Sequence, residues 1–249
     1  CNPKGRLISV FYVFQLDKDY YLYTTLDTKE PLLHKLNMYK MMSKVEFTVL
    51  DEVLMGITNV DKNSKFNGCI EDNKKVKKIG NSIIFRPSAN QIIISSSDKE
   101  IKEIIDENKI NILGYKSWDY LDIKNLMPFL NKLNIESFTP QMVSLDLLNG
   151  VSFTKGCYPG QEIVARTHYL GEAKKSLFNA DIETNNNIDI TSKITNQDNK
   201  QAGDIMSLVR TKDSSCLCLC VLRKEYANNK LLINKKDILN DINGVINNG

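Results

Sequence analysis

Histidine is nearly absent from this chain of 249 residues: His34 and His168 are the only two, so no multi-histidine metal centre can be assembled from it. Arginine is almost as sparse. Arg6, Arg86, Arg166, Arg210 and Arg223 stand singly among 33 basic residues and the net charge is only +3, which argues against an arginine-rich nucleic-acid arm. The densest cationic group, KKVKK at 74–78, reads as a solvated face or loop rather than a phosphate-tracking patch, so direct nucleic-acid binding is not expected. Long apolar runs are missing too. CLCLCVL at 216–222 is the longest, far short of the roughly 20 residues that span a bilayer, and no membrane segment is expected. The six cysteines lack the density of a secreted disulfide scaffold, and three of them fall at 216, 218 and 220, which points to a reducing cytoplasmic setting. The chain opens on Cys1 rather than methionine, and a preceding segment is therefore expected.

What is present is ordinary for a globular protein, with 42% hydrophobic and 25% charged residues, and large-scale disorder is not expected. The length suits one large domain or two to three small ones. Arg6 to Thr25 reads as a β-hairpin broken at Asp17, Lys18 and Asp19. Leu32, Leu33, Leu36, Tyr39 and Met42 recur at helical spacing, and Val45–Leu50 looks like a strand. After a polar, lysine-rich stretch at 62–80, Ile83–Phe85 and Ile92–Ile94 read as strands and Asp98–Asn108 as a helix. Trp118–Leu126 and Met142–Leu148 look helical, with Pro128 and Pro140 between them. Beyond Gly171 come an asparagine-rich loop, a turn at Gln201–Gly203 and strands near 204–210, 216–223 and 230–233, the pattern of a small all-β domain.

Three features compete as functional sites. Cys216, Cys218 and Cys220 resemble a metal cluster, yet a strand puts all three on one face with Leu217, Leu219 and Val221 on the other, so a doubly buried core strand is the stronger reading. His168 follows Cys157 by eleven residues and offers a base for a Cys–His pair, but no third group is in place to orient it. The run KGCYPGQE at 155–162 is the least accidental. Gly156 and Gly160 free the backbone, Pro159–Gly160 suits the centre of a type II turn, and the following QEIVAR can begin a helix. A helix N-terminus and Lys155 both favour a thiolate at Cys157. A cysteine merely housed in a tight turn stands as the equal alternative.

The motif KGCYPGQEIVAR, together with NPKGR at 2–6, MMSKV at 41–45, WDYLDIKNLMPFL at 118–130, FTPQ at 138–141 and GVSF at 150–153, resembles the YgfZ family, folate-binding relatives of the glycine-cleavage T-protein. The likeness covers most of the chain and is weakest after Gly171. It implies an α+β fold of three domains in a ring: a first α+β, folate-binding domain from 1–40 and 118–170 whose N-terminal part is missing, a second α+β domain at 41–117, and a C-terminal β-barrel at 171–249. It further implies tetrahydrofolate or a derivative as cofactor, and a cytoplasmic role in assembly or repair of iron–sulfur enzymes that reaches tRNA modification only indirectly. Trp118 lies where the family's folate-contacting tryptophan falls, 39 residues before Cys157. By the same resemblance Cys157 and Lys155 are the candidate catalytic pair, Tyr158, Gln161, Glu162 and Arg166 join Trp118 as candidate cofactor-binding residues, and no metal site is expected. Lys124, Asn125 and Leu126 depart from the family's acidic and glycine residues before its proline. The rival reading is a folate-dependent one-carbon transferase like the T-protein, and a third is a scaffold that needs no small molecule.

Overall fold

The computed structural model describes residues 1–58, 75–88, 91–212 and 214–245. They fall into two compact units, one made of Phe11–Tyr23 and Leu36–Gly114, the other of Cys1–Val10, Thr24–Lys35 and Tyr115–Gly249. The hairpin expected with the opening segment thus clusters with residues 36–114.

The aromatic run forms a hairpin, shorter than expected: β1 (Tyr12–Leu16) pairs antiparallel with β2 (Asp19–Tyr23), turning through Asp17 at φ 55°, a conformation aspartate tolerates. Helix α1 (Leu26–Lys40) starts six residues before the apolar spacing suggested. Its start is anchored by a buried hydroxyl: Thr28 Oγ1 lies 2.9 Å from Thr24 Oγ1 and 3.0 Å from the hydroxyls of Ser9 and Thr25 ahead of the helix. The strand expected at Val45–Leu50 is absent. Val45, Val49 and Leu50 remain exposed, and the strand is β3 (Val53–Thr58), whose Met55 and Ile57 reach a core.

That core belongs to an antiparallel sheet ordered β3, β6 (Gln91–Ser96), β5 (Ser82–Ser88), β4 (Val76–Ile79), with α2 (Asp98–Asn108) against one face. Ile84, Ile92 and Ile94 meet Ile101, Ile104 and Ile105 of the helix. Strand alternation turns Phe85 the other way, where its ring lies 4.9 Å from Phe14 and 5.9 Å from Tyr12 of the hairpin. Both faces of the isoleucine strands are thereby covered. Ser97 caps α2 by accepting from the Glu100 amide, and Lys109 ends it at φ 52°. Lys77 and Lys78 lie exposed on the edge strand β4, while Lys74, Cys69 and the rest of the expected lysine-rich stretch at 62–74 fall outside the described residues.

In the larger unit α3 (Tyr115–Lys124) agrees with the helical reading around Trp118. The helix expected at Met142–Leu148 is instead one 3-10 turn, Pro140–Val143, because Ser144 turns left-handed (φ 53°) to set its hydroxyl against Ser176 Oγ and the Leu177 amide. Helix α4 (Gln161–Leu170) follows. Six strands then close a barrel: β7 (Lys175–Glu183), β8 (Lys193–Thr195), β9 (Gln201–Lys212), β10 (Ser215–Arg223), β11 (Leu232–Ile233) and β12 (Asp237–Gly244), in the order β10-β7-β12-β11-β8-β9. The turn expected at Gln201–Gly203 is the start of β9.

Strand β10 behaves as its alternation dictates. Cys216, Cys218 and Cys220 pack inside the barrel with Ala180, Ile182 and Ile194. Leu217, Leu219 and Val221 point the opposite way, into a second core with Leu7, Ile123, Phe138 and Val143. Burial pushes the Cys216 thiol up, and a hydrogen bond with Cys218 together with burial pushes Cys220 well up, so these sulfurs stay protonated and pack as small hydrophobes. Among the described residues no group of three or more His, Cys, Asp or Glu side chains is placed to hold a metal, and no helix is long and apolar enough to cross a membrane.

Candidate functional site

The turn written by Pro159 and Gly160 forms as a type II turn: Gly160 has φ 82° and ψ 2°, and the Gln161 amide donates to the Tyr158 carbonyl at 3.1 Å. Gly160 is also the N-cap of α4. Having no side chain, it leaves the helix's first amides without a side-chain acceptor, four residues after Cys157. Cys157 itself is exposed. Gly156 is not needed for the bend, since its φ is not positive and an added Cβ would meet nothing within 4 Å; its lack of a side chain keeps the space beside Cys157 open.

A second glycine explains how distant motifs meet. A Cβ on Gly160 would lie 2.4 Å from the Asn2 carbonyl oxygen and 2.6 Å from Gly5 Cα, so the turn of KGCYPGQE rests backbone to backbone on NPKGR. Gly5 is left-handed as well, at φ 69°. Its loop is closed by Asn2, whose Oδ1 accepts from the Lys4 and Arg6 amides, both at 2.9 Å. The Leu7 amide donates to the Phe138 carbonyl at 2.8 Å, which brings in FTPQ. Gln141 of the same segment donates from Nε2 to the Val164 carbonyl at 2.7 Å. Three sequence-distant motifs thus form one continuous backbone assembly.

The other candidates are less tightly gathered. The Lys155 ammonium lies 4.9 Å above the Tyr158 ring, a cation–π pair, and burial raises the Tyr158 hydroxyl above its ordinary pKa. Gln161 is half-buried at the helix start. Glu162 and Arg166 pair one helical turn apart at 3.2 Å, both largely exposed, so that contact is worth only a fraction of a kcal/mol, about 0.3–0.5. His168 stacks flat on Phe153 with ring centroids 3.6 Å apart, which occupies the ring that a Cys–His pair would require. Trp118 is half-buried on α3, and no hydrogen bond or ring contact joins it to residues 155–162 among those described.

Two residues carry chemistry that the sequence did not disclose. Asp122 lies one helical turn after Trp118 and three residues after Asp119, on one side of α3. Burial, with the neighbouring Asp119 charge as a smaller cause, lifts its pKa from an ordinary 3.8 to about 7; burial raises Asp119 also. Neither carboxyl has an ion pair among the described residues. Asp122 is thus a half-buried carboxyl that can hold or release a proton near neutrality, one helical turn from the indole of Trp118. The i, i+4 spacing was visible in WDYLDIK, but desolvation was not. Gln141 is the second: it is 95% buried, since 5% of its surface is exposed, and its Oε1 finds no hydrogen-bond partner among the described residues. It borders a polar cavity of about 340 Å³ shared with Ser144, Ser176 and His168.

No protein-family model matches the chain. Among curated proteins it is 28% identical over 235 residues to a tRNA-modifying protein YgfZ from Colwellia psychrerythraea, covering 90% of this chain and 72% of that protein. It is also 28% identical to the protein of that name from Hamiltonella defensa, with 95% and 74% covered, and 29% identical to that from Blochmanniella pennsylvanica, with 90% and 74% covered. Among solved structures, the glycine cleavage system aminomethyltransferase T from Bartonella henselae superposes with a TM-score of 0.73 at 11% identity, covering 96% of this chain and 71% of that one.

Gly160→Ala is expected to cost roughly 2–4 kcal/mol in urea unfolding, because the methyl meets the Asn2 carbonyl and alanine resists positive φ. An unchanged midpoint would remove the glycine contact from the account. For Asp122, folding favours the protonated acid, so its contribution is best at low pH and declines as the unfolded chain's carboxyl ionises, between about pH 4 and 7. Asp122→Asn should therefore stabilise the protein at pH 8 by about 1–3 kcal/mol, allowing for partial exposure, and the gain should vanish near pH 4. Unfolding curves at pH 4, 6 and 8 check this, and a pH-independent difference refutes it.

Proposed function

Starting from a chain that resembles the YgfZ proteins and has the aminomethyltransferase fold, we propose that it binds tetrahydrofolate or a derivative and supports assembly or repair of iron–sulfur enzymes. Through those enzymes it influences tRNA modification, without contacting RNA directly. The observation that carries the reading is the joining of NPKGR, FTPQ and KGCYPGQE around the Gly5–Gly160 contact, since these are the segments by which the chain resembles that family. We place the protein in the cytoplasm.

The residues present suit a reduced pterin. The half-buried Trp118 offers a flat apolar face for stacking, and Asp119 and Asp122 are carboxyls without an ion-pair partner among the described residues, suited to accept from the amino and amide N–H groups of a pterin. When bound, tetrahydrofolate would supply one-carbon chemistry. Asp122 would hold or release a proton at its carboxyl near neutral pH, while Tyr158, Gln161, Glu162 and Arg166 shape the neighbouring wall by hydrogen bonds and charge. Cys157 would stand as an exposed thiol at the entrance to α4, with Lys155 held over the Tyr158 ring beside it. A second reading, a folate-dependent one-carbon transferase, is favoured by the proton-holding Asp122; turnover of 5,10-methylenetetrahydrofolate with candidate acceptors supports it, and binding without turnover supports the accessory role.

Calorimetry with tetrahydrofolate should show saturable binding that Trp118→Ala weakens by roughly tenfold, the scale of losing one stacked ring. Absence of binding, together with indifference of the protein's function to the substitution, would favour a scaffold that needs no folate. In a strain lacking the protein, the parent chain should restore iron–sulfur enzyme activity and Cys157→Ala should not. Full rescue by the variant would make the thiol a piece of wall.

A further inference from the structure

A cavity of about 820 Å³ lies between the Asn2–Arg6 loop, the segment around Glu136–Phe138 and barrel strands β8 and β9. It falls in the size range of small-molecule sites, roughly 300–1,000 Å³. Its charges are unbalanced. Lys4, Arg6, Lys175 and Lys193 line it against only Glu136 and Asp204. Asp204 is already spent: Lys175 Nζ sits 2.7 Å from Oδ2, and Gln201 Nε2 donates to Oδ1 at 2.8 Å. Lys4, Arg6 and Lys193 remain, none with an ion pair among the described residues, facing the single carboxylate of Glu136.

One of those cations, Arg6, is held in place before any ligand arrives, and the backbone beneath Lys4 is fixed as well. Lys4 and Arg6 flank Gly5, whose loop is closed by Asn2 Oδ1 and seated against Gly160, and the Arg6 guanidinium donates to the Ser137 carbonyl. The Arg6 guanidinium therefore needs little further ordering when an anion binds, which favours affinity. The cavity also has an apolar side, where Phe138, Met142, Ile190 and Ile205 border it. Cations on one side and hydrophobes on the other select a ligand with both characters.

We propose that this cavity binds a small organic anion of about nucleotide size, its phosphate or carboxylate between Lys4, Arg6 and Lys193 and its apolar body against Phe138 and Met142. The site is separate from the Trp118–Asp122 surface and does not depend on folate binding. The fluorescent aromatic anion 8-anilinonaphthalene-1-sulfonate is a direct probe on the intact chain. It should bind one per chain, be displaced by AMP but not by adenosine, and weaken as salt rises from 0.05 to 0.5 M. The double variant Lys4→Glu/Lys193→Glu should bind it roughly tenfold more weakly, since two exposed attractions become repulsions. Lys99→Glu, on the surface of α2, should bind as the parent does. Both lysines are exposed, so the double variant should keep the parental urea midpoint; Lys4→Ala/Lys193→Ala gives a smaller loss in the same direction. Displacement by AMP and adenosine alike makes the site a general apolar one and overturns the proposal. So does probe binding that is unsaturable or indifferent to the double charge reversal.

Discussion

The approach of Gly5 to Gly160 is the constraint on which the rest of the site hangs. Each residue is left-handed, and a side-chain carbon on Gly160 would sit 2.4 Å from the Asn2 carbonyl oxygen, closer than any real contact allows. That single approach fixes the entry to α4, the direction of the Lys4–Arg6 loop and the distance between the two motifs. FTPQ then closes on them through the Phe138 carbonyl and the Gln141 amide. Because the central contact of that joint is main chain on main chain, it positions the Cys157 turn and the backbone that carries Lys4 and Arg6, with the short side chains of Asn2 and Gln141 closing it.

Strand β10 gives that assembly its footing. With one face inside the barrel and the other in the core shared by Leu7, Ile123 and Phe138, it serves two hydrophobic clusters at once. The three cysteines are the inward half of that division. A small sulfur-bearing side chain fits the barrel interior, and leucine or valine fills the outer core.

Much of this was legible in the sequence because it depends on local pattern. The two-faced β10, the α2 helix, the type II turn and the helix after it all follow from spacing and from the stereochemistry of proline and glycine. Elements that depend on distant partners were not. Val45–Leu50 has strand-forming residues but no core to face, and Met142–Leu148 has helical residues interrupted by a serine whose hydroxyl is claimed by Ser176 and Leu177. Strands β7 and β12 were missed because polar residues such as Asn179, Asp181 and Asn240 alternate through them. At the candidate site the turn at Pro159–Gly160 was readable but the raised carboxyl of Asp122 was not, since it needs burial and a neighbouring charge, and burial is not written in one dimension.

Three buried or half-buried asparagines join the barrel to what lies above it. Asn179 donates to the carbonyls of Ile123 and Lys124 at the end of α3, and Asn131 and Asn134 both donate to the Met206 carbonyl of β9. Amide groups of this kind are rigid, directional and silent in charge. The barrel is therefore free to change its inner hydrophobic filling, so long as volume is kept, while its polar coupling to the helix of Trp118 and Asp122 runs through these carbonyl acceptors and the Lys124–Asp181 pair, beside the packing of Ile123 on β10. A carboxylate at Asn179 would face two carbonyl oxygens in a buried setting, so the Asn179→Asp change would be felt at the end of that helix before the barrel interior.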